Sequence, residues 1–385
     1  MQLSYTDEQM MLADQARRYL EAEYGFEQRR ARQAVGGHDP QVWRSFAGFG
    51  WLGLTFAEDH GGIGLGAVSI LSLAEELGRA LVLEPFLETA IEAGTLIEAG
   101  ATPEQAAALI APIIAGDSIV LTAHTEADAR FYPHHVRTSA TEQGGKVRLS
   151  GHKSRIAHAL TADTFIVSAR ESGGPRDAQG ISLFVVPADR VTIVKPATLL
   201  IDGTRANDLV LDGVDIPVSA RLGAAGAAAP ILEKARQRAI LGLLGMSVGS
   251  MAALIEQTGQ YLKTREQFDQ PLSAFQALCH KLADMAIWTE RARSAAWLAA
   301  NALAEVGDNQ HTRRSIAVAK AECAVAGRRV GQTAVQLHGG IGTSEELEIG
   351  HHFRSLESMG VRFGDRTYHL AEIAGEFGAT NKSRN

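Results

Sequence analysis

The chain has 385 residues, 45% of them hydrophobic and 21% charged, enough apolar material for two or three packed domains. Its formal net charge is -7, from 37 basic and 44 acidic side chains, so no basic excess marks a nucleic-acid binder. The two cysteines, Cys279 and Cys323, lie far apart and encode neither a disulfide framework nor a zinc ribbon.

The acidic start, with Asp7 and Glu8, has no secretory hydrophobic core. The Ala/Leu-rich stretches are broken by charges or too short for a bilayer, so a cytoplasmic protein without a membrane segment is expected. Thr6 is placed to cap a first helix, with Met10, Leu12, Ala13, Ala16 and Leu20 on its buried face. Further helices are predicted over Ser69 to Leu81 and Glu104 to Ala115, and the glycine-rich stretch from Trp51 to Gly66 reads as a loop. From about residue 117 the pattern turns to short β-branched runs: 118–122, 146–150, 164–168, 181–186, 191–194 and 208–211. Gly144-Gly145, Gly173-Gly174-Pro175 and Asp212-Gly213 read as the turns between them. Gly223 to Pro230 reads as a mobile linker. Beyond it the helical period returns in three stripes: Ile240 to Ile255, Leu278 to Ala296, and Ala317 to Ala334. The fold class expected is α+β: an N-terminal helical domain (1–116), a middle antiparallel β-domain (117–222) and a C-terminal four-helix bundle (231–376).

Two segments carry the chemistry: Tyr261-Leu-Lys-Thr-Arg265-Glu-Gln267-Phe268, and Gln336-Leu-His338-Gly339-Gly340-Ile-Gly342. Arg265 offers a fixed charge and a planar fork of donors, which suits a phosphate as well as a surface ion pair. Gly339 and Gly340 remove side chains where something bulky must approach, or where helices pack closely. With Pro271-Leu272, Phe275-Gln276 and Ala283-Asp284-Met285, and the α–β–α order of nearly the whole chain, they resemble the acyl-CoA dehydrogenase family.

The resemblance implies FAD as cofactor and an acyl-CoA substrate. In such enzymes a carboxylate removes the α-proton of the thioester and the β-hydrogen leaves as hydride to the flavin. Electrons pass on to an electron-transfer flavoprotein, the chemistry of β-oxidation and lipid metabolism. It also implies that one subunit's bundle completes its neighbour's flavin site. Arg265 and Gln267 would then reach the pyrophosphate, Phe268 and Gln276 would flank the adenosine half, and Gln336, Gly339 and Gly340 would meet the adenine end.

The departures are as informative. The family's base is a glutamate before a glycine, and here Phe363 precedes Gly364. The alternative base position falls at or near Ala239. The flavin-side loop reads Thr122-Ala-His124-Thr125-Glu126-Ala-Asp128, without the usual Pro and Gly, and the Trp-Ile-Thr-like triplet reads Arg155-Ile156-Ala157. In this the chain resembles the small subunits of hetero-oligomeric members, such as pimeloyl-CoA dehydrogenase and the α2β2 enzymes of bacterial steroid side-chain breakdown. The expectation is a heterotetramer in which a homologous partner supplies the base. A homomeric enzyme with an atypical base and an inactive scaffold are the alternatives. Asp365, Glu357 and Glu233 are the nearest substitute carboxylates, each also suited to an ordinary ion pair. His338, His351, His352 and His369 lack the spacing of a ligand set, so no metal is expected, and His134-His135 reads as loop surface. Gly62-Ile-Gly64-Leu-Gly66 lacks the strand and helix of a dinucleotide fingerprint.

Overall fold

The computed structural model describes residues 4–382, so the first three residues of the expected N-terminal domain lie outside it. Six helices come first: α1 (Asp7–Glu23), α2 (Phe26–Val35), α3 (Pro40–Gly48), α4 (Ala67–Arg79), α5 (Gly94–Gly100) and α6 (Pro103–Ala115). Thr6 caps α1 as its sequence predicts, and Gln9 returns the bond in a capping box. Thr102, Pro103 and Gln105 start α6 in the same way. A π-helical turn, Leu87–Ala93, runs directly into α5. Such wide turns are uncommon and gather at functional sites.

The middle of the chain folds into one sheet of β1 (Val120–Ala123), β2 (Ser139–Gln143), β3 (Lys146–Ala157), β4 (Thr164–Arg170), β5 (Ile181–Pro187), β6 (Thr192–Ile193), β7 (Thr198–Leu199), β8 (Arg205–Pro217) and β9 (Arg221–Leu222). Its main path is β6-β8-β3-β2-β4-β5-β9, with β7 also on β8. Most pairs are antiparallel, but β1 runs parallel to β4 and Ser139 meets Arg170 in parallel, which corrects the purely antiparallel expectation. Gly144 and Gly145 both have positive φ and close a two-residue hairpin. Asp212-Gly213 is no turn between strands. It sits inside β8 where the pairing with β3 slips between Leu149 and Gly151, so the pair forms a bulge.

The segment 223–230 is tied down rather than mobile. Gly226 exchanges hydrogen bonds with Gly180 and Ser182, and Ala228 is buried and bonds Ile181. It feeds α7 (Ala229–Thr264), a 36-residue helix, followed by the small hairpin β10 (Glu266–Gln267) and β11 (Gln270–Pro271). Then come α8 (Gln276–Val306), α9 (Gln310–His338), α10 (Glu348–Val361) and α11 (Arg366–Lys382). α7 to α10 form the bundle, and α11 lies on α9. By length and composition α7 alone among the described helices could cross a membrane, but 78% of its apolar window is packed inside the fold.

Glycines set the approach of α7 to α4. A Cβ on Gly249 would lie 1.7 Å from the Glu75 carbonyl oxygen, and one on Gly78 would lie 2.1 Å from that of Met246. The core is therefore continuous from the N-terminal helices through α7 into the bundle and onto one face of the sheet.

Candidate functional site

A cavity of about 530 Å³ opens where the sheet, the π-turn, α7 and the end of α10 meet. Its apolar walls include Leu96, Leu121, Phe131, Ile156 and Leu232. Tyr132, Leu199, Ile201 and Val361 line it too and are exposed, a cluster of apolar side chains open to solvent. Thr122, His124, Thr125, Arg155, Ile156, Ala157 and Phe363 all belong to the wall, so the structure gathers on one cavity the positions that the sequence resemblance marks as departures. Arg130, Arg155 and Phe363 have φ of +46°, +55° and +56°, a left-handed geometry that side chains resist.

His124 is locked. Buried Lys153 donates to Ser168 Oγ at 3.1 Å, and Ser168 Oγ lies 2.8 Å from His124 Nδ1. His124 Nε2 lies 2.9 Å from the Pro133 carbonyl, a partner that only an N–H satisfies, which leaves Nδ1 to accept from Ser168. Burial and the nearby Lys153 charge push this imidazole down to about 4, so it stays neutral and has no free nitrogen for proton transfer. Lys153 also binds Glu126 at 2.8 Å, and Glu126 accepts from the amides of Arg137 and Thr138 and from the Thr138 hydroxyl. Burial alone would raise the Glu126 carboxyl; the Lys153 charge and these donors hold it low, so the pair is ionised at neutral pH.

The opposite wall holds charges that the sequence did not single out. Glu88 and Glu92 come from the π-turn and Arg362 from the end of α10. Arg362 Nη2 donates to Glu88 at 2.9 Å. Its guanidinium also lies 5.4 Å from the centre of the Phe363 ring. Glu92 accepts no hydrogen bond, and burial raises its carboxyl to about 8, with Arg362 opposing and Glu88 adding to the shift. Asp202 holds the hydroxyls of Thr204 and Ser358, all three on the same cavity. Buried Lys320 steadies the segment by donating to the carbonyls of Met359, Gly360 and Gly364, the orphan acceptors at the end of α10.

None of the three substitute carboxylates lines the cavity. Asp365 accepts from the Tyr368 amide at the start of α11, Glu357 pairs with Arg328, and Glu233 pairs with Arg236. Ala239 is buried within α7. His135, expected at the surface, is buried, and among the described residues no group of three His, Cys, Asp or Glu is placed to hold a metal.

The predicted nucleotide contacts lie elsewhere, at one end of the bundle. Arg265 ends α7, Gln267 and Phe268 belong to the hairpin that follows, and Gln276 opens α8. Gln336 lies in the last turn of α9, with Gly339 and Gly340 beyond it. The ends of α7 and α9 are joined by Tyr261, stacked on His338 at 4.3 Å and donating to its carbonyl. Each of the seven is exposed, Phe268 at 85%. A Cβ on Gly339 or Gly340 would meet nothing within 4 Å, so close packing inside this chain does not explain them. Gly339 has φ +65° and needs glycine for its backbone; Gly340 does not.

The cavity residues fit one part of a flavin. Thr122 Oγ1 is buried without a partner on a wall with room for a ring system, although Ala157 offers no hydroxyl beside it.

Comparison with known proteins accounts for nearly the whole chain. Residues 6–117, 122–214 and 226–377 match the N-terminal, middle and C-terminal domains described for acyl-CoA dehydrogenase. Acyl-CoA dehydrogenase FadE27 of Mycobacterium tuberculosis is 26% identical over 347 residues, 89% of each chain. Butyryl-CoA dehydrogenase of Megasphaera elsdenii superposes with a TM-score of 0.91 at 25% identity, covering 98% of this chain and all of the other. A chain of the ChsE4-ChsE5 complex of Mycobacterium tuberculosis shares the fold, with a TM-score of 0.87 at 24% identity over 98% and 99% of the two chains.

Proposed function

This chain belongs to the acyl-CoA dehydrogenase family of FAD enzymes, and we propose that it is the subunit of a hetero-oligomeric member that completes a partner's flavin site. The observation that carries the proposal is the bare end of the bundle. Arg265, Gln267, Phe268, Gln276, Gln336 and the Gly339-Gly340 pair are exposed, and Gly340 meets no constraint within its own chain. Arg265 would meet a phosphate with its guanidinium fork, and the glycines would let an adenine approach the backbone.

The base position supports the same division of labour. Phe363 lies beneath the Arg362 guanidinium and transfers no proton, and His124 has both nitrogens engaged. A homologous partner would supply the carboxylate. FAD, when bound, accepts the hydride of acyl-CoA α,β-dehydrogenation, and an electron-transfer flavoprotein or a similar acceptor would take the electrons onward. A second reading, a homomeric enzyme with an atypical base, is favoured by Glu92, a carboxyl on the cavity with no hydrogen-bond partner.

Purification of this chain alone tests the proposal. Substoichiometric FAD and no dehydrogenase turnover are expected. Stoichiometric FAD with full turnover, abolished by Glu92→Gln, would establish the homomeric reading instead. An assembled complex without any flavin would leave only a scaffold role.

A further inference from the structure

The charged wall of the cavity makes long-range bonds, Arg362 to Glu88 and Ser358 to Asp202, that leave part of its polar capacity unused. Arg362 spends one N–H on Glu88, and none of its other side-chain donors has a hydrogen-bond partner. Glu92 lines the same space with no hydrogen-bond partner, near the Arg362 charge. Asp202, Thr204 and Ser358 continue the polar surface, and a smaller hollow of about 50 Å³ lies behind it, sharing Glu88, Asp202, Thr204 and Arg362. A purely hydrocarbon acyl chain laid along this wall would strip water from a guanidinium and a carboxyl and return no hydrogen bond, a desolvation cost with nothing to offset it.

We infer that this cavity is a ligand site for acyl-CoA thioesters whose acyl group carries a neutral oxygen function, a hydroxyl or a ketone, placed to bond Glu92 and Arg362. The apolar walls at Leu96, Leu121, Phe131, Ile156 and Leu232 hold the hydrocarbon part. Arg362 donates to the ligand oxygen. Glu92, raised by its burial, offers either a donor or an acceptor, which matches both a ketone and a hydroxyl. On this wall an acyl chain ending in a carboxylate fits poorly, because Glu88 already balances the Arg362 charge and Glu92 adds a second acidic group. The inference rests on the family's acyl-CoA substrate and not on which chain supplies the catalytic base.

Binding to the assembled flavoprotein, by calorimetry, tests this directly. The probes are the saturated acyl-CoAs from butanoyl to octanoyl, the hydroxy and oxo derivatives of each, and the corresponding dicarboxylic mono-CoA esters. At least one hydroxy- or oxoacyl-CoA should bind about tenfold or more tighter than its saturated parent, the worth of one hydrogen bond that the parent leaves unmade. Glu92→Leu in this chain alone should erase that preference, and Glu92→Gln, which keeps a donor and an acceptor, should retain most of it. Circular dichroism and flavin content of each variant report whether the assembly is intact. Saturated or dicarboxylic esters binding as tightly as the oxygenated ones would overturn the inference, as would a preference that survives Glu92→Leu. Flavin content is read separately, so a complex with the wrong flavin count but the oxygenated preference would sink the subunit proposal and leave this site standing. A complex that binds no acyl-CoA would overturn both.

Discussion

Gly340→Val separates the fold of this chain from the task proposed for its bundle end. Gly340 has no positive φ, it is exposed, and a Cβ there has no neighbour within 4 Å. Nothing in the chain itself resists the side chain, so the intrinsic cost should stay within ~0.5 kcal/mol, as for ordinary surface substitutions. The proposed occupant is different: an adenine end held against this backbone would have to give way to the new methyl groups. Overpacking of that kind costs about 1–3 kcal/mol, which corresponds to a rise in the FAD dissociation constant of roughly fivefold to hundredfold. The assay pairs thermal unfolding of the isolated chain with FAD retention by the assembled complex during dilution. An unchanged melting temperature with weakened FAD retention is the expected pattern. A complex that holds FAD as tightly as the parent would refute the reasoning, and a variant that melts several degrees lower would show that Gly340 serves the fold.

Three further outcomes follow from the buried charges. Unfolding entropies of ~2.1 cal/mol/K per residue scale to ~0.8 kcal/mol/K for 385 residues. Lys153→Met leaves Glu126 buried and uncompensated, so a loss of about 3–5 kcal/mol and a melting temperature lower by roughly 4–6 °C are expected. Adding Glu126→Gln should restore much of it, and a double variant no better than the single one would contradict the pairing. Lys320→Met strands three carbonyls around the end of α10 and should cost about 2–4 kcal/mol, with faster hydrogen exchange in the α10–α11 connection; unaltered exchange there would show that Lys320 does not anchor it. Glu92 should leave a signature in pH. Its carboxyl keeps a proton in the fold up to about 8, whereas the unfolded chain releases it near 4.5, so stability falls as pH rises between those values. Glu92→Gln removes that slope and should melt roughly 5 °C above the parent at pH 8 while the two converge near pH 4.5, in differential scanning fluorimetry. Parallel curves would mean that Glu92 is solvated and ionised throughout.

The α–β–α order was legible because its signals are local. Thr6 with Gln9 spells a cap, Gly144-Gly145 spells a hairpin, and the apolar stripes of α7, α8 and α9 repeat at the helical period. Asp212-Gly213 misled because a bulge and a turn call for the same residues, and only the pairing with β3 tells them apart. Gly223 to Pro230 misled because small residues read as mobile, whereas backbone bonds to Gly180, Ile181 and Ser182 fix them. In the candidate site, the cavity face carrying Thr122, Arg155, Ile156 and Phe363 could be found from the places where family motifs break. Glu88, Glu92 and Arg362 could not. A π-turn is invisible in a helical period, and two glutamates four residues apart read as the solvated side of an ordinary helix. The ion pair that joins Glu88 to Arg362 spans 274 positions, a separation that no local pattern encodes.

The central claim is tested most directly by the flavin stoichiometry of the complex formed when this chain is co-expressed with a homologue that carries a glutamate at the base position. Native mass spectrometry with a flavin count per assembly should give one FAD for every two chains, and Arg265→Ala in this chain should remove it. One FAD for every chain, untouched by Arg265→Ala, would contradict the account.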